Sequence, residues 1–416
     1  MNGLMTFELL KSKEILYIKG RIGWKGLKKE EFTETGPFLI TGMHFKENGK
    51  IDWDRCFHIP QHRYDESPEI MLELEDILLT KDGTIGKVAF IDELPGPSSL
   101  NSHLLVLRVE DKKRIYPKYI FYSLQSDKFK KYIEKNKSGS TIVGLSQKAF
   151  ENFEFDLPDY RVQQKIGHIL STVDEQIENV DHLIVKTKEF KKGLIQKLFT
   201  KGLEHTEFKS TDIGEIPVEW EVKKFIEITD VLKCGVASTP QYVDEGIPFL
   251  SSQNVKENKL ILDKYNFISK EYHEELTKKH KPTRGDILYT RVGANFGKAT
   301  IVNVDWEFSV YVSLTLIKMK KGYDSLFYSY LLNSEKYQRI AKSKVFQGGG
   351  VPNLNVGEVE KFDMIVPSLE EQQKIAEILS SVDEQIESYE EEKEKYIELK
   401  KGLMQQLLTG KLRVTV

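Results

Sequence analysis

The sequence predicts an α+β protein: two globular domains of mixed strands and helices, separated by two long antiparallel helices that form a coiled coil. Three observations carry this. The chain repeats itself at an offset of 209 residues, two segments of the repeat hold a sustained apolar heptad, and the rest alternates short apolar runs with glycine turns.

The repeat divides the chain. Residues 158–200 and 367–409 align without a gap: QQKIGHILSTVDEQIE from Gln163 meets QQKIAEILSSVDEQIE from Gln372, and Lys191-Lys192-Gly193-Leu194 meets Lys400-Lys401-Gly402-Leu403. The match continues more weakly upstream, where EDILLTKDGTIGKVAFI (75–91) corresponds to GDILYTRVGANFGKATIV (285–302). A basic stretch then precedes a glycine loop in both copies, KFKKYIEKNKSGST from Lys128 and KYQRIAKSKVFQGGG from Lys336. Each copy therefore has a variable globular part and a fixed helical part. The boundaries expected are 1–157 and 206–366 for the globular domains, and 158–205 and 367–416 for the helices.

In the second helix Ile375, Val382, Tyr389, Tyr396 and Leu403 stand seven residues apart, with Ile378, Leu379, Ile386, Leu399 and Leu407 in the adjoining stripe. The first helix places Ile166, Val173, Val180 and Leu194 in the same register, with Ile177 matching Ile386. Such a stripe needs a facing helix, and forty residues of helix run about 60 Å, so the two helices are expected to pair. Pro158 and Pro367 mark the starts, Gly202 and Gly410 the stops. In the globular parts, 77–80, 287–290, 104–109 and 312–319 read as strands, and 116–132 and 323–339 as helices.

Composition bounds the function. The apolar fraction of 39% and charged fraction of 30% are those of an ordinary folded protein, and the net charge is -3. Residues 1–157 carry 24 basic and 24 acidic groups, residues 201–366 carry 23 of each, and the negative excess lies in 367–416. Attraction to nucleic acid must then come from local patches or from a partner. Two cysteines, Cys56 and Cys234, suggest neither a disulfide framework nor a zinc site. No apolar run approaches a membrane span and no signal peptide is visible, so a cytoplasmic location is expected.

No enzymatic motif stands out. The sequence has no Asp/Asn-Pro-Pro-Tyr/Phe methyltransferase motif, no Walker A loop and no His-Glu-x-x-His metal spacing. Phe346-Gln347-Gly348-Gly349-Gly350 fits a methyl-donor pattern formally, but its counterpart Lys137-Ser138-Gly139-Ser140-Thr141 does not. The positive signal is for DNA contact. Lys131, Lys135 and Lys137 lead into Ser140 and Thr141, and Lys342 and Lys344 lead into Gln347 and Asn353. Basic groups beside exposed loop N–H groups suit phosphate; a solvated helix face would read the same way. Lys81 and Arg291 follow the same strand in the two copies, Lys87 and Lys298 follow the same glycine, and Lys281 and Arg284 form a further cluster.

On these residues the chain resembles the specificity subunits of type I restriction–modification systems. The resemblance spans nearly the whole chain and rests on LEEQQKIAEILSSVDEQIE after Pro367, IGEIPVEW (213–220), GDILYTRVG, GGGVPNLN and the KKGLMQQLLTGKLRV ending. It implies two target-recognition domains, each reading half of a bipartite double-stranded DNA site, with Ile166, Val173, Ile177, Val180, Ile375, Val382, Ile386, Tyr389 and Tyr396 pairing the helices as a ruler. It further implies a non-catalytic adaptor for two modification (methyltransferase) subunits and for restriction (translocase/endonuclease) subunits. No cofactor is expected in this chain; S-adenosylmethionine, ATP and magnesium belong to the partners. The first copy has no counterpart of IGEIPVEW, so its domain is expected to be shortened at its start. Antiparallel helices would relate the copies by an approximate two-fold axis, with half-sites about one DNA turn apart. The rival readings are a methylation-only complex, a self-sufficient methyltransferase or nuclease, and a scaffold that binds only protein.

Overall fold

The computed structural model describes residues 7–22, 27–138, 143–293, 295–346 and 352–414. The chain forms two compact units, Met1–Leu183 with Tyr389–Val416, and Ile184–Ser388. The units do not follow linear boundaries. Each takes one globular domain and half of each long helix.

In the first unit the strands are β1 (Glu8–Lys11), β2 (Leu16–Lys19), β3 (Thr33–Ile40), β4 (Phe57–His58), β5 (Ile77–Thr80), β6 (Val88–Phe90), β7 (Ser98–Leu100), β8 (Leu104–Val109) and β9 (Glu154–Leu157). They form a four-stranded sheet β2-β8-β5-β6, a three-stranded sheet β4-β3-β7 and the antiparallel pair β1-β9. The second unit opens with a hairpin of β10 (Phe208–Thr211) and β11 (Gly214–Pro217). It continues with β12 (Glu221–Lys224), β13 (Thr229–Cys234), β14 (Ile247–Leu250), β15 (Val255–Lys256), β16 (Lys259–Leu260) and β17 (Asn266–Ile268). Then come β18 (Ile287–Thr290), β19 (Ala299–Ile301), β20 (Ser309–Val310), β21 (Leu314–Met319), β22 (Val345–Phe346), β23 (Asn353–Leu354) and β24 (Asp363–Val366). The sheets β13-β21-β18-β19 and β17-β14-β20, with the pair β12-β24, reproduce the first unit's arrangement.

The strands form where they do because the four-stranded sheet is covered on both faces. Ile77, Leu79, Leu105 and Leu107 enter one core, whereas Leu78, Leu104 and Val106 enter another. An uninterrupted apolar run is what such a strand requires. The acidic residue ahead of it anchors the sheet. Asp76, fully buried, accepts from Arg108 Nε and Nη2 at 2.7 and 2.8 Å, and its counterpart Asp286 takes Lys318 at 2.5 Å. The expected strand at 312–319 begins only at Leu314, because Val312 turns aside to donate to Val236. The expected single helices each break in two. Pro117–Ser123 and Asp127–Asn136 are separated by the cap Ser126, whose hydroxyl accepts from Phe129 N–H, and Ser325–Asn333 gives way to Glu335–Ser343 at Ser334.

The long helices are Tyr160–Lys201 and Leu369–Leu407. A buried glutamine fixes each start: Gln163 donates to Pro158 O and accepts from Tyr116 N–H, and Gln372 does the same with Pro367 and Asp324. Gly202 and Gly410 end them with φ of +61° and +69°. Within the first unit Lys400 pairs with Asp174 and Lys393 with Asp181, so seven residues forward on one helix are seven back on the other, the antiparallel register. In the second unit Lys191 pairs with Asp383. A tyrosine of each domain joins: Tyr122 OH donates to Asp174 and Tyr330 OH to Asp383, both at 2.7 Å, under the ammonium of Lys400 and Lys191 respectively. Burial, then the adjacent carboxylate, pushes both phenols up, so they stay protonated donors.

Val173, Ile177, Val180 and Ile386 are buried, and Val382, Tyr389 and Tyr396 are half-buried. Ile166 and Ile375 belong instead to the domain cores, where Ile166 joins a cluster that includes Leu407 and Leu408. Leu399 leaves the expected stripe and is 48% exposed, because Tyr396, Lys400 and Leu403 occupy the covered side of the helix.

The glycines of the long helices separate two effects. A Cβ on Gly202 would lie 2.5 Å from Glu371 Oε1 and 2.7 Å from Trp220, on a positive φ, whereas one on Gly193 meets nothing within 4 Å. Gly202→Ala is expected to destabilise the chain by roughly 1–3 kcal/mol, and Gly193→Ala to stabilise it by up to about 1 kcal/mol. Urea unfolding of the two variants checks both signs.

Candidate nucleic-acid interface

A ledge of two loops and one helix is built the same way in both units. Its base is the threonine that ends the central strand. In the first unit Thr80 Oγ1 donates to Thr84 O and accepts from Lys87 N–H; in the second, Thr290 Oγ1 donates to Asn295 O and accepts from Lys298 N–H. These bonds tie the start of each hairpin loop, 81–87 and 291–298, to its return, and the second loop is one residue longer than the first. The described residues that follow the glycine runs lie alongside. Leu145 N–H donates to Lys81 O at 2.6 Å, and Leu354 N–H to Arg291 O at 2.8 Å. Behind each hairpin packs the basic helix: a Cβ on Gly86 would reach Ile133 Cδ1 at 2.5 Å, and one on Gly297 would reach Gln338 at 3.1 Å. Positive φ values of +87° and +83° fit glycine at both places.

The expected DNA-contacting residues divide on this frame. Lys81, Lys87, Lys131 and Lys135 of the first unit, and Lys342 and Lys344 of the second, belong to the ledge elements, and among the described residues they have no carboxylate partner. Lys137 is tied to Glu134 at 2.7 Å and Lys298 to Glu257 at 2.8 Å, which lowers their attraction for phosphate. Lys281 and Arg284 are not brought to the ledge. They precede β18, whereas the hairpin loop follows it, and their charges are matched by Glu307 and Asp305.

Arg291 is engaged within the protein. Its guanidinium donates to Leu354 O at 3.0 Å, to Val312 O at 3.0 Å and to the Asn353 side-chain oxygen at 2.9 Å. It therefore ties Asn353 and Leu354 to the hairpin, and it occupies one lone pair of the Asn353 side-chain oxygen. Ser140, Thr141 and Gln347 lie outside the described residues.

Sequence reasoning passed over Asp82 and His103, which stand on the first ledge with His103 Nδ1 2.5 Å from Asp82 Oδ1. Only the pairing of the loop 81–87 with the turn before β8 brings them together. The return of the hairpin at Gly86 and Lys87 also borders a cleft of about 1030 Å³ in the first unit, whose walls include Lys128, Lys131, Lys401 and Lys411.

A family model described as the type I restriction modification DNA specificity domain matches residues 7–187 and again 217–399. The chain is similar to the type I restriction enzyme MjaVIII specificity subunit of Methanocaldococcus jannaschii, with 32% identity over 357 residues, 83% of this chain and 81% of the relative. It is also 29% identical over 407 residues to the MjaX specificity subunit of the same organism, covering 94% of this chain and 90% of that one. In fold it resembles the crystal structure of the type I restriction–modification S subunit from M. genitalium, with a TM-score of 0.60, 17% identity and coverage of 100% and 98%.

The two kinds of cation predict opposite phenotypes. Arg291→Ala removes three hydrogen bonds and is expected to lower stability by about 2–4 kcal/mol in chemical denaturation. Lys87→Ala is expected to leave stability within about 0.5 kcal/mol. In salt-dependent duplex binding it should reduce the slope of log K against log salt by about one.

Proposed function

The chain belongs to the type I restriction–modification DNA specificity family, and from that premise we propose that its two ledges each read one half of a bipartite, non-palindromic DNA site. The observation that carries this reading is one frame built twice with diverged side chains: the same threonine, glycine and loop-to-loop bonds support Lys81 and Asp82 in one unit, Arg291 and Val292 in the other. A common frame fixes how each unit approaches the duplex, and its differing side chains make the halves differ. Unpaired lysines beside the loops supply the phosphate contacts.

The partners proposed are double-stranded DNA, two modification subunits and restriction subunits; S-adenosylmethionine, ATP and magnesium are the partners' cofactors. The chain itself is non-catalytic in this reading, and a methylation-only complex would use it in the same way. For the modification subunits we favour two equivalent patches on the long helices. Phe190 is 61% exposed beside Gly193, and Leu399 is 48% exposed beside Gly402, with nothing within 4 Å of where either glycine's Cβ would stand. Exposed apolar side chains next to bare helix backbone suit close approach of a partner surface.

Mapping methylated adenines in cells that express this chain with its modification subunit tests the reading: one split motif with unlike halves is expected, and a palindromic motif contradicts it. Phe190→Glu with Leu399→Glu should cut recovery of the modification subunit in affinity purification at least tenfold while the chain's melting temperature holds.

A further inference from the structure

We propose that Asp82 and His103 are the base-reading pair of the first unit, accepting hydrogen bonds from an exocyclic amino group, cytosine N4 or adenine N6, in the major groove. The assignment rests on the reading that the ledge faces DNA. It comes from superimposing the two units through their backbone bonds. Lys81 N–H donates to His103 O at 3.0 Å, as Arg291 N–H donates to Ser313 O at 2.9 Å. Position 82 thus corresponds to 292, and 103 to 313. Around them the frame keeps its identity, Thr80 with Thr290, Gly86 with Gly297, Lys87 with Lys298. At these two positions the chemistry changes completely, from Asp and His to Val and Ser.

The pair has little structural work to do. His103 is 58% exposed at the side chain and Asp82 20%, and a contact this open to water adds little to stability. In the second unit Ser313 is buried and accepts from Ser252 N–H at 3.0 Å, and Arg291 lies folded onto Leu354 and Val312. Among the described residues, positions 292 and 313 offer no comparable open acceptor.

A carboxylate is an unusual group for a surface that grips phosphate, since it repels the backbone. It is tolerated where it accepts a hydrogen bond from a base. Here the imidazole fixes its direction. With Nδ1–H of His103 donating to Asp82 Oδ1, Asp82 Oδ2 remains an acceptor whichever charge the ring carries. In the major groove the matching donors are the amino groups of cytosine and adenine, whereas guanine O6 and N7 and thymine O4 present lone pairs.

The test uses the full chain co-expressed with its modification subunit, with methylated adenines mapped across the host genome. Asp82→Asn keeps the shape and replaces one acceptor with a donor; His103→Ala, at an exposed position, leaves the carboxylate without its guide. Both are expected to lower the preference for the amino-bearing base roughly ten- to a hundredfold at one position. The loss should be confined to one half of the site, with the other half intact and the melting temperature within about 2 °C of wild type. Both variants methylating the wild-type motif with undiminished preference would overturn the assignment while leaving DNA reading by the ledge in place. A wild-type complex that binds no duplex would overturn the ledge reading, and the pair with it.

Discussion

Each globular domain meets the long helices at a duplicated contact, a carboxylate from one helix, an ammonium from the other and a tyrosine from the domain. Asp174, Lys400 and Tyr122 make it in the first unit; Asp383, Lys191 and Tyr330 make it in the second. The side chains are only 13–29% exposed at the two ion pairs, so deleting one member strands a partly buried charge rather than removing a surface decoration. Within each unit the contact fixes which residues of the helices face each other and ties the domain to that point of the pair.

The helices can be constant and the domains variable because of how this contact is assembled. Its Asp and Lys come from stretches that repeat nearly unchanged, and the domain needs to supply only a tyrosine on the first short helix after its central sheet. The same holds for Gln163 and Gln372, which grip backbone N–H groups of the domain and so ask nothing of its side chains. Diversity is therefore free to gather on the loops beyond β5 and β18. This agrees with the repeat itself, which aligns without a gap along the helices and more weakly through the domains.

Much of the fold was legible in the sequence because it rests on local signals. The repeat, the long helices with their proline starts and glycine ends, and the strands 77–80, 287–290 and 104–109 all follow from periodicity. The helix breaks at Ser126 and Ser334 carried a legible sign, a serine followed by an acidic residue, that the continuous apolar pattern masked. The ledge was less accessible. Arg291 reads as a DNA contact until its three acceptors are seen, two of them carbonyls contributed by distant parts of the chain. Lys281 and Arg284 read as a basic cluster until Glu307 and Asp305 are found opposite them. Asp82 and His103 stand 21 residues apart and meet only through tertiary pairing. Charge runs are visible in one dimension; their neutralisation is not.

The core of the first unit contains Leu407 and Leu408, with Leu403 and Met404 packed against it. During synthesis this core has no lid until the ribosome has made the last helix, some two hundred residues after the rest of the unit has emerged. The second unit, whose pieces run continuously from 184 to 388, meets no such delay. The domain translated first is thus the one completed last, after the residues of the second unit have been made. A chain that stopped before Leu403 would lack that part of the first unit's core.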